Sequence, residues 1–148
     1  LDIFARAFCS VNSFHLNGDQ TGKGYSSFTY RPFTLEGNFA YASGLQEMLL
    51  QSHAGYINLF PAIPADWSNC SFKNFRTQGA FLVDASYSEG HIKRAMIRSE
   101  KGGETKVWLS QGNWKIRQQK YCEADLTEEG WLNLKAEAGG LVEVYRHE

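Results

Sequence analysis

The hydrophobic pattern of the chain changes at Gly55, and this change limits the possible folds more than any other feature. Before Gly55, apolar residues recur every three or four positions, as in amphipathic helices; after it, they alternate in short runs separated by glycines. A sequence with the helical period does not settle as a strand, and the reverse also holds. The chain therefore divides into a helical part and a following β part.

The helical part is predicted to hold two helices joined by a long loop. The first helix is indicated by apolar residues at helical spacing: Ile3, Phe4, Ala7, Phe8 and Val11. The second is predicted over residues 38–52, with Asn38 as its N-cap and Gly55 as its stop signal. Residues 12–35 between them are polar and rich in glycine, serine and threonine, which predicts a loop. Loops of this length are usually functional or belong to a larger assembly.

The β part is predicted to hold six or seven short strands. Residues 80–87 and 92–99 alternate in hydrophobicity, and the turn Ser88-Glu89-Gly90 between them predicts a β-hairpin. The further candidate strands cover residues 56–60, 105–109, 114–118, 131–135 and 141–146. Short strands at this spacing predict an antiparallel β-sandwich, so the fold is expected to be mostly β.

Composition excludes several classes of function. The 15 Lys and Arg against 16 Asp and Glu give a net charge of −1, so no basic field attracts nucleic acid or an anionic membrane. No apolar run is long enough for a membrane span. The three cysteines, Cys9, Cys70 and Cys122, lie far apart without a C-x-x-C pattern, which leaves free thiols or at most one disulfide. The balanced charge indicates that the expected partner is a neutral molecule. The histidines show no metal-ligand spacing, and no cofactor motif is present.

Glu36 is the main candidate for chemistry. It lies beside Gly37 at the approach to a predicted helix start, where the helix dipole favours an ionised carboxylate by about 0.3–1 kcal/mol. An ionised carboxylate suits a base or a group that polarises an amide. The alternative is that Glu36 only supports the helix N-terminus, and the spacing alone favours this alternative.

Other side chains are open to two interpretations. His15 and Asp19 lie in the long loop and are candidates for lining a pocket, although a solvated or loop-stabilising role is the alternative. The four tryptophans are candidates for stacking on sugar rings: Trp67, Trp108, Trp114 and Trp131. The alternative for them is packing in the core between two sheets, which is the commoner role of tryptophan in short strands.

Residues 32–64 carry a specific resemblance. They read Pro-Phe-Thr-Leu-Glu-Gly-Asn-Phe-Ala-Tyr-Ala-Ser-Gly-Leu-Gln-Glu-Met-Leu-Leu-Gln-Ser-His, then Gly55 and Ile-Asn-Leu-Phe-Pro-Ala-Ile-Pro, and residues 79–84 follow as Gly-Ala-Phe-Leu-Val-Asp. In order, spacing and length these motifs resemble the C-terminal part of glycoside hydrolase family 95. That family contains α-L-fucosidases and related α-L-galactosidases, and its members usually show Asp-Gly-Asn-Phe-Gly at the first motif.

The resemblance implies a place for both parts of the chain. Residues 1–53 are expected to be the C-terminal end of a helical (α/α)6 catalytic barrel, and residues 54–148 the C-terminal β-sandwich domain. The preceding part of the same polypeptide is then an expected partner.

The resemblance also implies a mechanism. Family enzymes hydrolyse the glycosidic bond with inversion of configuration at the anomeric carbon. They use a Glu general acid on an earlier barrel loop, an Asn amide that positions water, and the Asp of Asp-Gly-Asn. Only the last maps onto this sequence, at Glu36, with Asn38 and His15 as candidate substrate-binding residues.

Two departures from the family pattern bear on activity. Glu36 replaces the common Asp, and Tyr30-Arg31 stands where many members have His-Pro. Inverting enzymes hold their acid and base groups about 6.5–9.5 Å apart so that water fits between them. Because glutamate has one methylene more than aspartate, the carboxylate of Glu36 extends farther from the backbone and would change this separation.

The resemblance implies that the parent enzyme releases terminal α-L-fucosyl or related sugars from glycans, in the periplasm or outside a bacterial cell. The isolated chain is expected to be inactive because it lacks the general acid. One alternative function is a carbohydrate-binding β-sandwich module, and another is a sandwich that only buttresses the barrel. For the sandwich itself, the supporting role is preferred over sugar binding.

Overall fold

The computed structural model describes residues 1–147 of the 148-residue chain. The chain forms two compact units, Leu1–Glu47 and Met48–Glu148. The elements in chain order are α1 (Asp2–Ala7), α2 (Leu35–Leu49), β1 (Leu50–Gln51), β2 (Ile57–Leu59), β3 (Asn69–Arg76), β4 (Phe81–Ser88), β5 (His91–Ser99), β6 (Gly103–Trp108), β7 (Trp114–Leu126) and β8 (Trp131–Arg146). The prediction of a mostly β fold that follows a helical part is confirmed.

The first helix is shorter than its apolar spacing predicts. α1 ends at Ala7, and the backbone carbonyl of Phe8 instead accepts a hydrogen bond from the N–H of Leu16 at 2.7 Å. The backbones of Cys9 and His15 form an isolated antiparallel β-bridge within the same loop. Val11 lies fully exposed in this loop, so its helical spacing was coincidental.

Helix α2 begins three residues before the predicted start and ends at Leu49. The N-cap prediction for Asn38 is therefore wrong, because Asn38 lies inside the helix and its side chain bonds to the loop before it. The prediction that Gly55 stops the helix is also wrong. Strand β1 follows α2 directly, and Gly55, with φ of 83°, lies in the turn between β1 and β2.

The eight strands found among residues 1–147 belong to one hydrogen-bonded sheet, in the order β1-β2-β6-β8-β5-β4-β3, with β7 paired along β8. Residues 131–136 of β8 pair with β6, whereas residues 141–145 pair with β5. β7 accompanies β8 along both stretches. The sheet thus curls into a nearly closed, barrel-like form that is consistent with the predicted sandwich, and its two half-sheets share the long strands β7 and β8. The first half-sheet contains β1, β2 and β6, and the second contains β3, β4 and β5.

The predicted hairpin is confirmed as β4 and β5. Glu89 and Gly90 at its turn have φ of 53° and 80°, the left-handed conformations that a type I′ turn requires. The strands predicted at residues 131–135 and 141–146 form one strand, because the glycines between them bend β8 without ending it. Pairing is antiparallel throughout except between β2 and β6, which are parallel.

The core lies in the second unit. Its largest fully buried side chains alternate along the strands with outward-facing residues, as the predicted period of two requires: Ile57, Phe81, Val83, Ile97, Val107, Leu109, Leu132, Val142 and Val144. The cysteines are free thiols and half-buried, and burial raises the pKa of Cys9 and Cys70. Among the described residues, no helix has the length and apolar character needed to cross a membrane.

Candidate functional site

Glu36 lies in the first turn of α2 with its side chain exposed. It makes no hydrogen bond or ion pair with any other residue that the structure describes. The N-terminal end of a helix stabilises negative charge through its free N–H groups and its dipole. An exposed carboxylate without a protein partner is free to act on a group from outside, so the position suits the predicted base.

His15 is fixed by packing on several sides. Its ring stacks on Phe4, with ring centroids 4.9 Å apart and an interplanar angle of 10°. Phe4 in turn stacks on Tyr41 of α2 at 5.1 Å. The Nδ1 atom of His15 contacts the hydroxyl of Thr34 and lies 3.2 Å from the carbonyl oxygen of the same residue. These contacts hold the imidazole between α1, α2 and the end of the loop.

Asn38 ties the start of α2 to the loop. Its Oδ1 accepts a hydrogen bond from the backbone N–H of His15 at 2.8 Å, and its Nδ2 donates to the carbonyl of Ser13 at 2.8 Å. The structure therefore brings His15 and Asn38 together, as candidates for one site. Glu36 precedes Asn38 by two positions, and residues at that spacing do not share a helix face. Whether these three residues act on a substrate stays a prediction.

Asp19 organises the loop between the two helices. It is only 4% exposed, and its carboxylate accepts hydrogen bonds from the hydroxyl and backbone N–H of Thr21, both at 2.7 Å. The backbone N–H of Tyr25 donates to the second oxygen at 3.1 Å. These bonds, chiefly that from the Thr21 hydroxyl, lower the pKa of Asp19 to about 2. The contacts support the loop-stabilising interpretation of Asp19.

The tryptophans divide into distinct groups. Trp114 belongs to the core, as the packing interpretation predicts. Trp108 and Trp131 are paired across β6 and β8, lie outside the core and remain partly exposed, so the core interpretation is wrong for them. The alternation of side chains along a strand could have shown this. Val107 and Leu132 are fully buried, and adjacent residues in a strand point to opposite faces, so Trp108 and Trp131 point outward.

Two comparisons with known proteins bear on identity. The family model described as "Glycoside hydrolase family 95, C-terminal domain" matches residues 51–144. The chain is also similar to a protein of Arabidopsis thaliana named "Alpha-L-fucosidase 2", with 34% identity over 77 residues. That alignment covers 51% of this chain and 9% of the relative, so the chain corresponds to a small part of that protein's length.

Proposed function

The chain belongs to glycoside hydrolase family 95, and on this premise we propose that the enzyme carrying it releases terminal α-L-fucosyl groups, or closely related sugars, from glycans. The family match over residues 51–144 is the observation that carries the proposal. The similarity to a protein named as an α-L-fucosidase supports the choice of sugar. The balanced charge of the chain is compatible with a neutral substrate.

In this proposal the first unit is the end of the helical catalytic barrel. Helix α2 has no buried residue. Ten of the twelve large apolar side chains that are exposed among the described residues fall within positions 1–39. Apolar surface of that extent is rare on a completed domain and commonly marks an interaction surface. We assign it to packing against further helices of the same enzyme.

Glu36 is the residue that the chain supplies to the reaction. In an inverting mechanism one carboxylate activates water while a carboxylic acid protonates the leaving oxygen. The carboxylate of Glu36 is exposed and has no hydrogen-bond or ion-pair partner among residues 1–147, so it suits the first role, in which it polarises the water or the amide that positions that water. The general acid comes from another part of the enzyme, so the isolated chain is inactive.

His15 and Asn38 support this site from within the first unit. Their mutual hydrogen bond and the stacking of His15 on Phe4 fix the loop next to the start of α2. Residues held by several partners keep their geometry through a reaction, which is what a substrate-positioning group needs. Direct contact of either side chain with the sugar is part of the proposal. The sandwich of the second unit then has a supporting role.

The proposal is tested with the intact enzyme, meaning the longer polypeptide that contains this chain. It is assayed with 4-nitrophenyl α-L-fucoside and α-L-galactoside, with 4-nitrophenyl β-D-galactoside as the control. Turnover of an α-L-glycoside with the β-anomer as first product in proton NMR spectra supports hydrolysis by inversion. Failure to turn over either α-L-glycoside overturns the proposal, and substantial turnover by the 148-residue chain alone overturns the assignment of the general acid.

A further inference from the structure

We propose that the outer face of the first half-sheet binds a neutral oligosaccharide. Trp108 and Trp131 supply the stacking surface, and polar side chains of neighbouring strand positions supply the hydrogen bonds. This site lies in the second unit and contains none of the candidate catalytic residues. It is therefore a binding site in addition to the proposed active site and does not depend on fucosidase activity.

The aromatic surface faces outward because of strand register. Trp108 on β6 stands opposite Trp131 on β8, next to the fully buried pair Val107 and Leu132. The ring centroids of the two tryptophans are 4.7 Å apart. Tyr56 packs edge-to-face on Trp131 at 5.1 Å. Such contacts fix ring orientation, so the stacking surface is organised before any ligand binds.

A row of polar side chains lies on the same face as the tryptophan pair, two residues away from it along each strand. Lys106 on β6 stands opposite Asn133 on β8, and Asn133 stands opposite Asp125 on β7. All three line a cleft of about 560 Å³. An amide both donates and accepts, a carboxylate accepts and an ammonium group donates, which together match the hydroxyl groups around a sugar ring. Clefts that combine apolar surface with a few such groups are typical ligand sites.

A second cleft lies against Trp108, between the first half-sheet and the hairpin of β4 and β5. Asn58 on β2 stands opposite Trp108, and both residues line a cleft of about 350 Å³ together with His91 and Tyr87. Trp108 thus borders further polar side chains besides those of the first cleft. This arrangement suits a chain of sugars, with one ring stacked on tryptophan and a neighbouring ring bound by polar groups.

The charges on this face favour a neutral ligand. Lys106 and Lys135 are balanced by Asp125 and by Glu104, which lies 3.5 Å from Lys135 as an ion pair. Glu123, opposite Lys135, adds a further negative charge. Because no excess of positive charge is present, a carboxylated or sulfated glycan gains nothing here.

The test uses the whole 148-residue chain, titrated by calorimetry and tryptophan fluorescence with cellohexaose, mannohexaose and 2′-fucosyllactose. We expect at least one of these neutral probes to bind. Trp108→Ala then weakens binding about tenfold or more, whereas Trp108→Phe retains most of it. Trp67→Ala is the matched control, because Trp67 is 39% exposed but lies in the loop between β2 and β3. Asn133→Ala weakens binding without lowering the thermal midpoint.

Absence of binding to all three probes overturns the proposal. So does binding that Trp108→Ala and Asn133→Ala leave unchanged. If the chain self-associates and Trp108→Ala abolishes the association in sedimentation experiments, the face is a protein interface and the proposal is also overturned. None of these outcomes affects the proposed hydrolysis, which is measured on the intact enzyme with small glycosides.

Discussion

The imidazole of His15 fills the space that a side chain at residue 37 would need. A Cβ atom built on Gly37 overlaps the ring of His15, at distances below those that real Cβ atoms show. The same ring stacks on Phe4. The glycine that follows Glu36 is therefore a packing requirement, because it lets α2 approach the loop that carries His15.

Gly37→Ala is expected to destabilise the first unit by about 1–3 kcal/mol, since the ring of His15 must leave its stacked position. Gly44→Ala, on the same helix, is the control. The atoms nearest to a Cβ at Gly44 belong to the flexible end of Leu1, the closest at 3.1 Å. Alanine there should gain about 0.8–1 kcal/mol of helix propensity. Hydrogen exchange of the α2 amides measures both effects, and equal protection of α2 in the two variants would contradict this packing.

The loop around Asp19 is expected to depend on pH. Its folded pKa of about 2 lies below the ordinary value of 3.8, so the ionised form stabilises the folded loop. This stabilisation is complete above about pH 4 and is lost as the pH falls toward 2. Amide exchange at Thr21 and Tyr25, followed by NMR from pH 6 to pH 2, should show protection that falls within that window.

Asp19→Asn is the variant for this experiment, and Asp66→Asn, at an exposed loop position, is its control. The amide introduced by Asp19→Asn keeps one acceptor oxygen but carries no charge, so protection of Thr21 and Tyr25 should be low at every pH. Protection that survives unchanged in Asp19→Asn would show that the carboxylate does not organise the loop.

The bend of β8 depends on the close approach of two backbones. A Cβ at Gly140 would lie 2.5 Å from the carbonyl oxygen of Tyr121 on β7 and 2.9 Å from that of Glu137. Tyr121 itself has φ of 51° and lies at a register shift of β7. Gly140→Ala should therefore destabilise the sandwich by about 1–3 kcal/mol in urea unfolding.

Gly112→Ala is the control for the bend, because the three atoms nearest to a Cβ there belong to the guanidinium end of Arg146, a flexible side chain. It should leave the urea midpoint nearly unchanged. A Gly140→Ala midpoint equal to that of Gly112→Ala would mean that the strands accommodate a side chain at the bend.

Much of the β unit follows from short-range signals in the sequence. The hairpin of β4 and β5 was predictable because the Glu89-Gly90 turn demands left-handed backbone and the flanking residues alternate. Strand β3 was not predicted, because it is an edge strand in which only Phe72 is buried. Its hydrogen bonds to β4, rather than a hydrophobic period, define it.

In the helical unit, tertiary contacts that the sequence pattern does not show determine where α2 begins. Asn38 has the chemistry of an N-cap, but its amide instead bonds to His15 and Ser13, and the helix begins at Leu35. Glu36 was expected just before the helix and lies in its first turn, so only its closeness to the helix start was predicted. Its role was indicated by the family resemblance, since an exposed carboxylate at a helix start carries no specific signal.

The role of Glu36 is tested most directly by the kinetics of Glu36→Gln in the intact enzyme on an α-L-fucoside. We predict that kcat falls by about 10²–10⁴-fold with little change in KM, because glutamine keeps the shape but loses the base. Glu36→Asp should retain much of the activity, and Glu128→Gln, at an exposed turn of the second unit, should retain all of it. A Glu36→Gln enzyme with the wild-type kcat would contradict the account.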